Sequence, residues 1–153
     1  MSIEVCRPTS RELKVQVEAR LLVDGKLRSE DDTVSPTHRE TANGALRHTD
    51  RSKTDSKVTD TFTCDWTRLD SQVNAIEIAA NVTGAARARD AVKALEVKMS
   101  AAGKQWMFEL DGLTGNRAVV LAKIYRHGDH IKLRALGRGC HTAPNGRAKS
   151  GRR

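Results

Sequence analysis

The stretch LKVQVEARLLV, Leu13–Val23, alternates in polarity along nearly its whole length. Leu13, Val15, Val17, Ala19, Leu21 and Val23 share one parity, and Lys14, Gln16, Glu18 and Arg20 share the other. A period of two belongs to an extended strand whose successive side chains leave opposite faces; an amphipathic helix repeats every 3.6 residues. A half-apolar strand must lay its apolar face on other strands, so the rest of the chain has to supply them. The 153 residues correspond to about one domain, and 38% of them are apolar, enough for one modest core. Phe62, Trp66, Trp106, Phe108 and Tyr125 are the whole aromatic complement, so that core must be built mainly from Val, Leu, Ile and Ala.

Further strand signals follow. Val58–Trp66 (VTDTFTCDW), Val73–Val82 (VNAIEIAANV), Ala94–Met99, Lys104–Leu110, Ala118–Tyr125 and His130–Leu136 are short, rich in β-branched or aromatic residues, and separated by turn chemistry. The turns fall at Asp24–Lys26, Ala102–Gly103, Gly112–Asn116 and His127–Asp129, with Gly84–Ala91 as a loop or one helical turn. Short strands at regular spacing predict an all-β fold, an antiparallel β-sandwich of two sheets. Residues 29–60 are dominated by Ser, Thr and charged side chains and predict a long polar loop with at most a short strand at Gly44–Thr49. Such a length is unusual for a loop without a function of its own. The expected organisation is one domain over residues 1–142 and a flexible Pro/Gly/Ser/basic tail over 143–153.

Net charge is +8, but its placement matters more than its size. From Arg134 to the end lie six basic residues and no acid; without them the net charge is about +2. Arg147, Lys149, Arg152 and Arg153 form a basic end suited to phosphate or acidic-partner contacts, though with no aromatic for base stacking. No apolar run approaches the roughly 20 residues of a membrane span, and MSIEVCRPTS lacks the apolar segment of a secretory signal. Cys6, Cys64 and Cys140 are odd in number and far apart. These features predict a cytoplasmic, reducing location and no disulfide framework. Cys64, inside a strand signal, reads as a small core residue.

RHGDH places His127, Asp129 and His130 within four residues, but a hairpin turn splays such side chains and turns favour Gly and Asp anyway; a solvated tip is the favoured reading. The adjacent Cys140 and His141 lack the spacing of a zinc site. The acids Glu30, Asp31, Asp32, Asp50, Asp55, Asp60, Asp65 and Asp70 are the oxygen donors a hard cation needs. Arg39, Arg47, Arg51, Lys53 and Lys57 are interleaved among them and favour a solvated, internally paired loop. No phosphate-loop, dinucleotide, zinc-protease or nucleophile-elbow pattern is present, and no acid, base and nucleophile are nominated by context, so the chain reads as a non-enzyme.

The stretch LAKIYRHGDHIKLRALGRG, Leu121–Gly139, resembles the close of the TerD family, the tellurium-resistance and bacterial stress proteins. Tyr125, Arg126, His127, Lys132, Arg134, Ala135, Gly137 and Gly139 fall in matching places; Ile131 and Leu133 stand where the family usually has aromatics. VEARLLVDGKLRSEDD (Val17–Asp32) and NGALRHTD (Asn43–Asp50) are similar to two further family runs. The resemblance implies a two-sheet β-sandwich, calcium held by acidic loops, and a role in stress or tellurite resistance without known catalysis. It implies a calcium site reduced to Glu18, Asp32 and Asp50, because the family's Gly-Asp-Asn and Gly-Asp-Gly-Asp-Asp-Glu strings are replaced here by Thr49-Asp50-Arg51 and TDSKVTD. Each lost carboxylate removes a strong ligand, so calcium binding is expected to be weak or absent. The expected function is a TerD-like binding protein in bacterial stress, tellurium resistance or phage-related defence, with a protein partner. The alternative is a structural or assembly protein, for example of a phage, whose basic tail meets nucleic acid or an acidic partner. In either case the hairpin Tyr125–Ala135 would complete a sheet, with Ile131, Leu133 and Ala135 inward and His130, Lys132 and Arg134 outward.

Overall fold

A computed structural model describes residues 1–8, 13–41, 43–84, 95–101, 103–110, 118–127, 130–135, 141–142 and 149–150. The strands are β1 Ser2–Pro8, β2 Leu13–Val23, β3 Lys26–Leu27, β4 Thr33–Val34, β5 Leu46–Lys53, β6 Lys57–Cys64, β7 Ala75–Gly84, β8 Leu95–Ala101, β9 Lys104–Leu110, β10 Ala118–His127, β11 His130–Ala135, β12 His141–Thr142 and β13 Lys149–Ser150. Among the described residues there is no α-helix, only two single 3-10 turns at Glu30–Asp32 and Trp66–Arg68. No helix is therefore long and apolar enough to cross a membrane.

Two sheets result. The first runs β12-β9-β8-β1-β6-β5, and the second β13-β11-β10-β7-β2-β3 with β4 also on β2. Every pairing is antiparallel except that of β11 with β13. The alternation read in Leu13–Val23 is the burial pattern of β2: Val17, Ala19 and Leu21 are buried, and Glu18 and Arg20 leave by the other face. Its partner β7 repeats the device with Ile76, Ile78 and Ala80. From the first sheet Ile3, Val5, Phe62, Cys64, Leu95, Val97 and Met99 meet them, giving a largely aliphatic core. The β2–β3 turn uses Asp24 and Gly25, at φ 51° and 81°. Two consecutive left-handed residues give the turn whose twist matches the strands it joins, and Gly removes the steric cost at one of them.

The structure departs from the sequence reading in two places. Residues 29–60 are not one loop. They hold a 3-10 turn, β4, and the eight-residue β5, which extends past Thr49 to Lys53. β5 is the edge of the first sheet, so Arg47 and Asp50, and past its bulge Arg51 and Lys53 opposite Asp60 and Val58, are exposed, and its apolar signal shrinks to Leu46. The second departure is β1, a central strand paired with both β6 and β8 that carries only two buried aliphatics, Ile3 and Val5. Cys64 is the core residue its position suggested, and burial pushes its thiol pKa up to about 12. The hairpin expectation holds for the side chains described: Ile131 and Leu133 pack on the core, while His130, Lys132 and Arg134 are exposed; the Ala135 side chain lies outside the described residues. The turns at Gly112–Asn116 and at Gly128–Asp129 lie outside the described residues, as does the loop beyond Gly84.

Candidate functional site

The inward parity of β6 reads Val58, Asp60, Phe62, Cys64, so one carboxylate is carried into the core by strand geometry alone. Asp60 is fully buried. Arg7 from β1 donates from Nη1 to its Oδ2 at 2.6 Å, and His48 from β5 donates from Nε2 to its Oδ1 at 2.8 Å. Arg51 lies 3.4 Å from the same Oδ1. The Arg39 guanidinium sits 3.5 Å from His48 Nδ1. Arginine can only donate, so Nδ1 is the accepting nitrogen and Nε2 carries the proton given to Asp60. Arg7 and His48 are themselves 4% and 3% exposed, so the Arg7–Asp60 ion pair is removed from water and the polar groups of the cluster must satisfy one another. The Phe62 ring meets His48 edge-on, with centroids 5.2 Å apart. Among the described residues Asp60 is thus met by Arg7, His48 and Arg51, a polar cluster that ties β1, β5 and β6 together at one carboxylate.

The three residues assigned to a reduced calcium site lie on three different elements. Glu18 projects from the outer face of β2, where Arg20 Nε donates to its Oε1 at 3.0 Å. The same guanidinium reaches Glu77 Oε1 at 3.1 Å, and Lys123 Nζ lies 3.7 Å from the other oxygen of Glu77. Burial pulls the Arg20 pKa down, but Glu18 and Glu77 outweigh it and hold the group above its ordinary value. Asp32 ends the first 3-10 turn and accepts from Arg28 Nε at 2.9 Å; Arg28 Nη1 also reaches Asp70 Oδ2 at 2.9 Å. Those two carboxylates raise Arg28 in turn. The Asp70 carboxyl is held below its usual range by the backbone N–H of Gln72 and by Arg28. Asp50 is exposed on β5, in the other sheet. Among the described residues no three His, Cys, Asp or Glu side chains converge as a metal cluster. Glu18, Glu30 and Asp31 do line one cleft of about 460 Å³, together with Arg20, Thr33 and His38. The carboxylates therefore do not fit a calcium cage: two are already bridged by guanidinium groups and the third is remote.

Of the basic end, Arg147, Arg152 and Arg153 lie outside the described residues. Lys149 is in β13, in parallel register beside Arg134 of β11. His141 is placed in β12 on the opposite sheet, and Cys140 lies outside the described residues. Sequence reasoning missed the Arg7–His48–Asp60 cluster, whose members are far apart along the chain. The available signal was parity, since Asp60 interrupts an otherwise apolar inward face.

Two antiparallel sheets closed over an aliphatic core define this molecule as a β-sandwich protein. The family model described as TerD domain matches residues 4–146. The chain belongs to the TerD family. A solved structure, that of SAV2460, a protein of unknown function, is similar to it with a TM-score of 0.63 and 16% identity, covering 93% of this chain and 89% of that one. That likeness is one of fold. No curated protein matches the chain.

Proposed function

We propose that this chain is a non-enzymatic TerD-family binding protein acting in bacterial stress, tellurium resistance or phage-related defence, in the cytoplasm, and that it works without calcium. The observation that carries the reading is the seating of Arg20 on Glu18 and Glu77 and of Arg28 on Asp32 and Asp70. A guanidinium that already neutralises two carboxylates supplies the positive charge a divalent cation would otherwise bring, and it repels that cation. Thermal unfolding with millimolar calcium against excess EGTA, at fixed ionic strength, tests this. A ligand bound only by the folded state at a hundred times its Kd adds about 2.7 kcal/mol. No shift in Tm is expected. An upward shift that disappears in Asp32→Asn or Asp50→Asn would overturn the calcium-free reading.

A second reading is favoured by the register of Lys149 with Arg134, which joins the basic end to the second sheet. In it the protein has a structural or assembly role, and residues 143–153 dock on nucleic acid or an acidic partner. Deleting 143–153 is expected to weaken binding to a polyanion and flatten its salt dependence. Unchanged, salt-insensitive binding would rule this reading out.

A further inference from the structure

The outer face of the second sheet carries a charged row that the chain order hides. Glu77 lies between buried Ile76 and Ile78, so its side chain leaves by the face opposite the core. Its register neighbours are Arg20 on β2 and Lys123 on β10; Lys123 is opposite Arg134 on β11, and Arg134 is beside Lys149 on β13. Five adjacent strands, each about 4.8 Å from the next, thus place basic residues at four of five positions in one line. The acids on this face are consumed at one end: Glu18 and Glu77 both hold Arg20, and Glu77 also lies near Lys123. Toward the β13 edge no acid lies among the described residues of β11, since His130–Ala135 contains none. Lys132 and Arg134 are exposed there with no ion pair to a described residue. Tyr125 stands one step along, in register with Lys132, and the Arg134 guanidinium lies over its ring, 5.4 Å from the centroid.

From this we infer that the outer face of the second sheet, centred on Tyr125, Lys132 and Arg134, binds single-stranded nucleic acid without sequence preference. The inference rests on the second reading above and gives it a place on the folded domain. Sequence-tolerant single-strand binding needs cations that follow the backbone and a flat π-surface for the bases. The basic end alone has the first and no aromatic. The sheet face supplies the second, a tyrosine ring with a guanidinium 5.4 Å from its centroid, beside the strand that pairs with Lys149–Ser150. An acidic peptide would use the cations but has no use for the ring, and on that ground nucleic acid is the partner chosen.

The test is fluorescence anisotropy of the full chain with a labelled oligothymidylate of about 16 nucleotides, the upper single-fold site size, across a salt series. Four phosphate contacts predict a log–log salt slope of about −3. Lys132→Glu with Arg134→Glu should weaken binding by tenfold or more and reduce the slope. Tyr125→Leu should weaken it by about tenfold, the loss of one stacked base, and leave the slope unchanged, since no counterion is involved. Deleting 143–153 should reduce the slope yet preserve the Tyr125 effect. Circular dichroism melts verify that each variant is folded. Binding that vanishes on deleting 143–153 and is indifferent to the three face substitutions would overturn this inference and leave the tail reading standing. No binding by the full chain would overturn both. Equal binding to polyglutamate, insensitive to Tyr125→Leu, would overturn it in favour of an acidic protein partner.

Discussion

Asp60→Ala is expected to destabilise the protein by about 3–5 kcal/mol, the cost of stranding a buried charge without its partner. Arg7, 4% exposed, would lose the carboxylate it meets at 2.6 Å, and the Nε2 proton of His48 would lose its acceptor. A domain of this kind has about 5–15 kcal/mol in total, so the variant would sit near the edge of folding. Urea unfolding followed by circular dichroism measures the loss directly. The companion experiment separates the value of the cluster from the cost of breaking it. Changing Arg7, His48 and Asp60 together to Met, Leu and Leu removes every member at once, and replacing a buried ionic group by apolar residues of similar volume is often neutral or stabilising. The triple variant is therefore expected to be more stable than Asp60→Ala alone. If Asp60→Ala costs less than about 1 kcal/mol, the range of a surface pair, the cluster is not the buried network described.

Phe62→Ala is expected to cost a similar amount, about 3–5 kcal/mol, for a different reason. Phe62 is fully buried, among the largest side chains in the core, and its removal leaves a cavity between the sheets and strips the ring contact from His48. Leu27, 39% exposed on the short edge strand β3, is the control: Leu27→Ala should change stability by no more than about 0.5 kcal/mol. Denaturant midpoints at unchanged m distinguish a true loss of stability from a change in the unfolded state. Because Phe62 touches His48, its cost should not add to that of Asp60→Ala, and a double-mutant cycle would register the coupling. Full additivity would mean that ring packing and the charge cluster are independent.

The strands visible in the sequence were those buried on one face and central in their sheet. β2 and the β10–β11 hairpin alternate over much of their length because one side meets the core and the other meets water. β5 was unreadable beyond Thr49 for the opposite reason: at an edge, and with a bulge between His48 and Asp50, its residues Arg51, Ser52 and Lys53 are exposed on both sides. β1 was unreadable because its inward face is only Ile3, Val5 and Arg7, two apolar residues and a charge, too short an alternation to stand out. The site was less legible than the fold. Glu18 and Asp32 could be picked out as acids with Arg20 and Arg28 nearby in sequence, but the second carboxylate on each arginine, Glu77 and Asp70, is set by cross-strand register and by a return of the chain, neither of which spacing encodes. The cluster at Asp60 shows the same limit, at a separation of 53 positions from Arg7. Parity within β6 was the one local trace it left.

The position of β1 has a consequence for the order of events during synthesis. Ser2–Pro8 leaves the ribosome before either of its partners, yet it lies between β6 and β8 and pairs with residues as far along as Ser100. Its pairing with β6 can form once Cys64 has been made, but its other edge has no partner until Ser100 of β8 follows, a further wait of roughly 2–7 s at typical elongation rates. Closing the first sheet is then a long-range event, and folding belongs to the slow, millisecond-to-second class of β-rich topologies. In that interval Glu4 and Arg7 hold charge on an otherwise apolar strand, the kind of residue that keeps an unpaired edge from joining the wrong neighbour.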